Sequence, residues 1–548
     1  MLHNPILPGF NPDPCICRCG EDYYIAVSSF EWFPGVPVYH SRDMKSWTLL
    51  THILSDESMT DLRRLPSAKG IWAPCLTYCE EDGLFYLLYS CMNSMNARYF
   101  DVDNFLITAP SITGPWSEPI YLHSAGFDPS ILHDKNGKKW IVSLEWETRD
   151  GYHKPGTICA IEYDSVQREV VGYPKCIWAG GTKRGCIEGP HLYQRNGYYY
   201  LMCAEGGTGY GHCVTVGRSK SVFGPYESDP CNPILTSTPD FNEMDNDDAM
   251  KLNRYNPASY LQKAGHGSLI ETTLGEWYLV HHCGRPFLPE LRCTLGRETC
   301  IQKMKWTDDG WIRLIGEDSL AKEYVTPSRL PDVIPRQDPV QYDFEKEIMP
   351  LCFYSPRIAP ETFCTLKEKP GYLRIRGQES LSSLNRASFV GHKLTALSVC
   401  VTTKLEFEPH TYQQYAGLAI YYDNMNYILL RKTFEEEKNA EVLDLIRVEN
   451  GFRSEVLENS VLLVPNQSIF LRLIIDGRST KFLWSKDGLN YHRIGIVFDT
   501  SEFSDEYCKY GEFTGTFVGM ACVDALFHKA YADFDFFTYQ IVKNNAPY

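Results

Sequence analysis

Three acidic side chains occupy equivalent positions in a repeated pattern along the first 300 residues. Asp13, Asp128 and Glu188 each lie eleven or twelve residues before an aromatic, strand-like run, and each has Pro or Gly beside it. His266 and Trp72 take the corresponding place in two further repeats, twelve and fourteen residues before the run. An acid beside Pro or Gly at the mouth of a strand has no ladder hydrogen bonds to maintain, so its carboxylate is available for chemistry.

Converging carboxylates suit acid–base catalysis at a glycosidic bond. That reaction uses one protonated carboxylic acid at the leaving oxygen and one carboxylate on the opposite side of the sugar. A third carboxylate raises the pKa of the acid, because two negative charges held close together disfavour each other. One Asp-Pro pair is commonly only a turn, but three acids in equivalent positions of otherwise different repeats indicate a shared site. The spacing does not assign their individual roles.

The repeat that carries these residues predicts a five-bladed β-propeller. Five aromatic runs each follow a turn signal of Gly with Asp, Asn or Glu, at separations of 62, 54, 60 and 78 residues. This spacing fits four short strands with long loops, which is one propeller blade. Because the first strand of each blade lines the central channel, the five positions converge at one end of one funnel. The runs centre on Tyr24, Tyr86, Trp140, Tyr200 and Tyr278.

The second half of the chain predicts a further all-β domain. Four prolines between residues 326 and 340 indicate a stiff linker. Beyond it, alternating stretches at 397–407, 416–430, 468–475 and 517–522 predict an antiparallel β-sandwich of the jelly-roll, concanavalin-like type. The chain therefore divides into a propeller over 1–325, a linker over 326–340 and a sandwich over 341–548. Sandwiches of this size are often carbohydrate-binding modules.

Composition excludes several classes of partner. With 53 basic and 69 acidic residues the net charge is −16, which repels a phosphate backbone, so we expect no nucleic-acid partner. No apolar run reaches the roughly 18 residues that a membrane span needs, and the start lacks the pattern of a secretory signal. We therefore interpret the 20 cysteines as reduced thiols and expect a cytoplasmic homo-oligomer.

An ordered set of motifs resembles the β-xylosidases and α-L-arabinofuranosidases of glycoside hydrolase family 43, of the two-domain type. Each motif alone is weak, but their order along essentially the whole chain is specific. They are Asn-Pro-Asp-Pro at 11–14, Ser-Ser-Phe-Glu-Trp-Phe-Pro-Gly at 28–35, Ile-Trp-Ala-Pro at 71–74, Phe-Asp-Pro-Ser at 127–130, Glu-Gly-Pro-His at 188–191, Ala-Glu-Gly-Gly-Thr-Gly-Tyr-Gly-His at 204–212, Gly-His-Gly-Ser at 265–268, Trp-Tyr-Leu-Val-His-His-Cys-Gly-Arg-Pro at 277–286 and Leu-Gly-Arg-Glu-Thr at 295–299.

The resemblance implies an inverting exo-hydrolase that releases xylose from the non-reducing end of β-1,4-xylo-oligosaccharides, with side activity on α-L-arabinofuranosides. Carried over by position, it implies Asp13 as the general base, Glu188 as the general acid and Asp128 as the residue that orients the acid and tunes its pKa. In this mechanism the base activates a water molecule instead of attacking the sugar.

The resemblance also implies a set of substrate-binding residues. Phe30 and Trp72 resemble walls of the sugar pocket, and Arg297 resembles an arginine whose fork reaches two hydroxyl groups. His266 is expected beneath the sugar on the propeller axis, as a substrate-binding residue and not as a catalytic one. No cofactor is required. Some relatives hold a calcium ion or water near this histidine, so a calcium ion beside His266 is compatible with the resemblance.

The resemblance further implies that a loop of the sandwich closes the active-site funnel. Phe513 is the best match for an aromatic side chain that reaches across, and Phe517 is the second choice. The second domain is then part of the active site and not a separate binding module. The opposing interpretation of Phe513 is an ordinary core residue of the sandwich.

Two features depart from the family pattern or suggest a metal. Cys15 stands where relatives usually carry Ser, and Cys17 and Cys19 share its strand face, but strand-spaced cysteines without a His partner favour packing. The acidic stretch with Asp245, Asp247 and Asp248 lacks calcium-loop spacing, so we expect solvated surface there. No metal site is predicted from either.

Three alternatives to the main prediction stay open. In the first alternative, the main activity is that of an α-L-arabinofuranosidase instead of a β-xylosidase, since the two sugars present similar hydroxyls. A retaining enzyme acting on fructans or sucrose is disfavoured, because its Asn-Asp-Pro-Asn motif is absent: Pro12 precedes Asp13. A non-catalytic sugar-binding propeller is disfavoured because it would not need three acids in equivalent positions.

Overall fold

Five antiparallel sheets follow one another along the first part of the chain in the computed structural model, which describes residues 1–149, 156–241, 250–316, 318–334, 339–509 and 513–542. The predicted five-bladed propeller is confirmed. The blades are Cys15–Cys19, Asp22–Ala26, Gly35–Ser41 and Thr48–Leu54; Gly70–Cys79, Leu84–Asn96, Tyr99–Ala109 and Ile120–His123; Ser130–His133, Lys139–Trp146, Gly156–Asp164 and Glu169–Trp178; Glu188–Arg195, Tyr198–Glu205, Cys213–Ser219 and Glu227–Ser228, with Leu235–Thr236 also pairing on the third strand; and Gln262–Glu271, Trp277–Gly284, Glu298–Trp306 and Ile312–Leu314.

Every aromatic run found in the sequence lies on the second strand of its blade, one hairpin out from the axis. Tyr24, for example, lies in Asp22–Ala26 and is cross-strand from Cys17 on the inner strand. The large rings fill the spaces between neighbouring blades, as the contact of Tyr24 with Phe85 of the next blade shows. The runs therefore fix the blades against each other, and the inner strands before them are left to line the channel.

Two larger sheets form the predicted sandwich. One contains Cys364–Thr365, Leu373–Arg376, Tyr531–Ile541, Ser398–Glu406, Ile469–Asp476, Ser479–Ser485 and His492–Asp499, with Gln341–Tyr342 added on Tyr531–Ile541. The other contains Phe452–Glu455, Ala440–Glu449, Asn426–Glu435, Gln414–Asp423, Phe517–Asp524, Phe389–Lys393 and Phe353–Pro356, with Val461–Leu462 added on Ala440–Glu449. The stretch 416–430, treated as one strand in the sequence, is a hairpin of two strands that turns between Asp423 and Asn426.

The propeller contributes a strand to the sandwich. Trp32–Phe33 pairs with Phe353–Pro356 and so extends the second sandwich sheet. The Trp32 ring stacks on Phe517 with 3.6 Å between ring centroids, and Phe517 is fully buried. The second choice for the lid residue is therefore wrong: Phe517 belongs to a core that the two domains share.

Short elements complete the chain. Leu2–His3 pairs with Tyr324–Val325, and three short 3-10 helices span Leu252–Arg254, Pro360–Thr362 and Thr500–Glu502. The predicted linker is fastened to blade 1 along its described part, since Ser328 Oγ and the Val333 amide both bond to Asp43. Residues 335–338 of that linker, and Asp245, Asp247 and Asp248, lie outside the described residues. None of the described residues forms a helix of the length and apolarity that a membrane crossing needs.

Candidate active site

A cavity of about 390 Å³ opens at one end of the propeller axis. Its walls come from the inner strands of the blades and from one loop of the sandwich. All of the predicted site residues line it, namely Asp13, Phe30, Trp72, Asp128, Glu188, His266, Arg297 and Phe513. The residues predicted from equivalent positions and those implied by the resemblance therefore line the same cavity.

A left-handed backbone residue recurs just before or within the inner strands. Asp13, Asp128 and His266 have φ of 52°, 57° and 55°, in the region that side chains other than Gly rarely adopt. In blade 4 the same place is taken by Gly189, with φ 55°, directly after Glu188. The ladder of blade 4 is interrupted at this point, between Glu188 and His191. Such bulges re-aim side chains, and strain of this kind accumulates at functional sites.

Asp13 is a buried carboxylate held by three donors. Arg297 Nη1 lies 2.6 Å and His282 Nδ1 3.2 Å from its Oδ1, and Ser28 Oγ donates to its Oδ2 at 2.7 Å. Burial opposes ionisation, but the Arg297 charge and the His282 hydrogen bond outweigh it and hold the pKa of Asp13 well below its usual range. Asp13 is therefore ionised at neutral pH and can accept a proton from water.

The pKa values of Glu188 and Asp128 are raised, in contrast to the lowered pKa of Asp13. Burial, followed by the negative charges of Asp128 and Asp13, raises the pKa of Glu188 well above its ordinary value. Burial and the charge of Asp13 raise the pKa of Asp128 to about 7. Asp128 Oδ2 accepts the Gly189 amide at 2.9 Å, so it also fixes the backbone next to Glu188. The site thus holds one carboxylate that stays ionised and one carboxylic acid that keeps its proton.

Aromatic rings form the apolar side of the cavity. Trp72 lies at the centre of a cluster, with ring centroids 5.8 Å from Phe30, 5.6 Å from Phe127 and 6.1 Å from Phe513. Flat apolar surfaces of this kind pack against the C–H faces of a sugar ring, while the carboxylates address its oxygens. The cavity is therefore divided into an apolar wall and an acidic floor.

Phe513 reaches the cavity from the sandwich and is held there by both domains. Its amide donates to Asp505 Oδ1 at 3.0 Å within the sandwich, and its carbonyl accepts from Arg297 Nη2 at 3.4 Å. The ring lies 5.3 Å from the Arg297 guanidinium carbon. Two ends of the Arg297 fork are thus engaged with Asp13 and with the loop, so Arg297 positions the base and the lid, besides lining the sugar pocket.

Several lining residues escaped the sequence analysis. They are Met95, Phe100, Trp146, Arg184, Cys186, Gly206, Gly207, Thr208 and Lys251, together with Phe127. Phe127, Thr208 and the two glycines stand inside quoted motifs and were within reach of that argument. Met95 and Trp146 lie near the ends of two strands that carry aromatic runs, Phe100 lies on a third strand, and the remaining residues lie in loops. The repeat did not single out any of these positions. His212 and His282, which contact the carboxylates from behind, also stand inside quoted motifs.

His266 lies beneath the carboxylates, with its Nδ1 3.8 Å from Asp13 Oδ1. The ring packs on the Gly189 backbone, where an added Cβ would come within 2.9 Å of it. A small cavity of about 10 Å³ on its other side is lined by Cys75, Asp128 and His191 among others. These side chains offer a single carboxylate, whereas Ca²⁺ takes six to eight oxygen ligands. The donor set does not favour calcium, which stays a prediction.

Comparisons with known proteins agree with this geometry. The family model for glycosyl hydrolases family 43 matches residues 2–312, and that for the beta xylosidase C-terminal concanavalin A-like domain matches residues 341–540. A beta-xylosidase of Bacillus subtilis is 39% identical, over 98% of this chain and 99% of its own. A xylosidase/arabinosidase of Humicola insolens is also 39% identical, over 99% and 98%. The crystal structure of a xylan beta-1,4-xylosidase from Bacillus halodurans superposes with a TM-score of 0.93 at 43% identity, covering 98% of this chain and all of that one.

Replacing Asp128 by Asn should weaken the hold of Glu188 on its proton. The substitution removes a negative charge that raises the pKa of Glu188, so we expect that pKa to fall and the proton affinity to drop about tenfold or more. The measurement is a ¹³C NMR titration of the Glu188 carboxyl group. Asp134→Asn, an equally buried acid in the same blade, is the control and should leave that titration unchanged. An unmoved Glu188 midpoint in Asp128→Asn would contradict the assignment.

Proposed function

The chain belongs to glycosyl hydrolases family 43, and on that premise we propose that it removes single xylose units from the non-reducing end of β-1,4-xylo-oligosaccharides with inversion. One observation carries the proposal. Asp13 and Glu188 line the same cavity, and their surroundings push their pKa values in opposite directions. A glycosidase needs such a pair, with one member for each side of the scissile bond.

Asp13 acts as the general base. The Arg297 guanidinium and His282 keep it ionised, and Ser28 fixes the rotation of its carboxylate. It removes a proton from a water molecule that attacks the anomeric carbon from below. Because Asp13 and Glu188 stand on blades 1 and 4, which are not adjacent in the five-bladed ring, a water molecule has room between the base and the sugar. Inverting pairs are typically about 6.5–9.5 Å apart for this reason.

Glu188 acts as the general acid. It arrives protonated and donates to the oxygen of the leaving xylo-oligosaccharide, which is a poor leaving group without that proton. Asp128 supports this role twice, through its charge and through its hydrogen bond to the Gly189 amide. Glu188 is therefore protonated, and its carboxyl group has a fixed orientation, before the substrate binds.

The closed end of the cavity supports exo cleavage. An open propeller funnel would let a chain thread past the acids and be cut internally. Phe513 lines the same cavity as Glu188 and is held by Asp505 and Arg297, so its ring can block that path. Its ring also displaces water from the sugar, which strengthens the polar contacts around it. The sandwich domain is then a component of the active site.

Side activity on α-L-arabinofuranosides is part of the proposal. It is supported by the Humicola insolens relative, whose name carries both activities. A non-catalytic sugar-binding role is not favoured, because the convergence of three acids with opposed protonation has no use in simple binding. Rates on nitrophenyl β-xyloside and nitrophenyl α-arabinofuranoside, measured side by side, rank the two activities.

We also propose a cytoplasmic location. All twenty cysteines lie in the described part of the chain and are free thiols. A protein with this many free thiols suits a reducing compartment. The expected homo-oligomer stays a prediction.

Hydrolysis of xylobiose should release α-xylose first. Inversion converts the β-glycosidic bond into an α-configured product, which mutarotates only later. Proton NMR spectra of the anomeric region, recorded during the first turnovers, distinguish the two anomers. Initial appearance of β-xylose from the cleaved unit would reject inversion, and absence of cleavage would reject the proposed function.

The loss of activity on removal of the general acid should depend on the leaving group of the substrate. We expect Glu188→Ala to lower kcat/KM on xylobiose by about 10²–10⁴-fold, the usual contribution of a general acid. The loss on nitrophenyl β-xyloside should be much smaller, since nitrophenolate leaves without protonation. Asp13→Ala is the matched comparison and should damage both substrates equally, because water must be activated whatever leaves. Equal losses on both substrates in Glu188→Ala would show that the roles are assigned wrongly.

Removal of the lid should impair catalysis without unfolding the protein. We expect Phe513→Ala to lower kcat/KM on xylobiose by one to two orders of magnitude, about 1.4–2.8 kcal/mol of transition-state stabilisation. Phe527→Ala, in the same domain and 65% exposed, is the control and should behave as wild type. Thermal unfolding of both variants checks that the fold is intact. Wild-type kinetics in Phe513→Ala would refute the lid.

A further inference from the structure

Two histidines link the proposed base to the proposed acid behind the sugar pocket. His282 Nδ1 lies 3.2 Å from Asp13 Oδ1, and His282 Nε2 lies 2.8 Å from His212 Nδ1. The far nitrogen of His212, Nε2, faces Glu188 Oε1 at 3.9 Å. Both rings are fully buried. The four side chains thus form one row that runs from blade 1 through blades 5 and 4.

The row ends in two polar atoms that lack partners. Among the described residues, Glu188 Oε1 and His212 Nε2 are both buried without a hydrogen bond. Leaving a buried polar atom unpaired is unfavourable, so two such atoms that face each other mark an interaction. At 3.9 Å they are just beyond hydrogen-bond distance, and catalytic hydrogen bonds are often long before the substrate binds.

The position of His212 is built into the fold. The ring packs directly on Gly265, where an added Cβ would come within 2.4 Å of the imidazole. The His212 carbonyl accepts from Thr236 Oγ1 at 2.8 Å, which fixes the backbone at the start of its strand. Arg297 and His266 are the other titratable groups that face the two imidazoles from neighbouring elements, besides the carboxylates.

The ionised state of Asp13 determines every proton along the row. A carboxylate only accepts, so His282 must carry its proton on Nδ1 and leave Nε2 bare. His212 must then carry its proton on Nδ1 to donate to that bare nitrogen. Burial lowers the pKa of His282 to about 3 and that of His212 well below its ordinary value, so neither ring carries a second proton at neutral pH. His212 Nε2 is left as an acceptor, directed at Glu188.

We propose that His282 and His212 are positioning residues that transmit the ionised state of the base to the acid, so that Glu188 is held protonated and in a fixed orientation between turnovers. The inference rests on the proposed function and deepens it. A protonated Glu188 donates its O–H to the bare nitrogen of His212. An ionised Glu188 would instead place its negative charge against the lone pair of that nitrogen, which is unfavourable. When the substrate arrives, the same O–H turns to the glycosidic oxygen.

The protonation of the histidines is measured directly in the wild-type enzyme. With ¹⁵N-labelled histidine, NMR distinguishes a protonated from a bare imidazole nitrogen. We expect His212 and His282 to be neutral between pH 5 and 8, each with its proton on Nδ1. In Asp13→Ala, His282 loses the acceptor that fixes it, so both rings should become mixtures of the two neutral forms. An imidazolium, a proton on Nε2 of either ring in the wild type, or unchanged spectra in Asp13→Ala would overturn the proposal.

Kinetics separate positioning from a merely structural role. His212→Leu removes the acceptor for Glu188 and touches neither Asp13 nor the sugar. We expect kcat/KM to fall about tenfold or more on xylobiose, with a much smaller loss on nitrophenyl β-xyloside, because only xylobiose needs a well-placed acid. His52→Leu, which removes another buried imidazole that bonds to Tyr354 instead, is the control and should leave the ratio of the two substrates unchanged.

The outcomes distinguish this inference from the proposed function. An equal loss on both substrates in His212→Leu, or no loss on either, overturns the role of His212. If His212→Leu does not fold, the spectra of the wild type and of Asp13→Ala decide alone. Failure of the wild-type enzyme to cleave xylobiose with inversion would reject the proposed function itself, whatever the histidine spectra show.

Discussion

The contact between Arg297 and Asp13 is the interaction on which the rest of the site depends. It joins two buried charges at 2.6 Å on blades 1 and 5, which are neighbours only because the ring closes. Removing one partner of a buried ion pair typically costs 3–5 kcal/mol, because the other charge is left without compensation. The same arginine holds the Phe513 carbonyl. One guanidinium group therefore links the first and last blades of the propeller, keeps the base ionised and holds the loop that carries Phe513.

The site is also maintained by backbone conformations that the fold imposes. Asp13, Asp128 and His266 all adopt left-handed φ, at a cost of the order of 1–3 kcal/mol for each residue. Such conformations persist only where the surrounding structure over-determines them, and here five inner strands packed around one axis do so. All three side chains line the active-site cavity. A sheet without these interruptions would direct alternate side chains into the neighbouring blades instead.

Sequence reasoning succeeds where a feature repeats and fails where it does not. Asp13 and His266 were found because each blade presents one residue to the axis at a fixed distance before an aromatic run. Phe513 has no such repeat and came only from resemblance to a family. His212 and His282 stand in quoted motifs, but nothing in their spacing shows that they lie back to back, because that contact joins blades 4 and 5. The two-residue strand that the propeller lends to the sandwich is too short for any periodic signal.

That borrowed strand has a consequence for the order of events in a catalytic cycle. Trp32–Phe33 is hydrogen-bonded into the sandwich sheet and lies just after Phe30, so the sandwich cannot swing away without pulling a pocket wall with it. Entry and exit must then take place through the mouth of the pocket without a movement of the sandwich. The released xylose lies at the bottom, behind the shortened chain, which has to depart first. An enzyme of this shape works distributively: it lets go of its polymer after every cut, and free xylose competes with the next chain end for the same place.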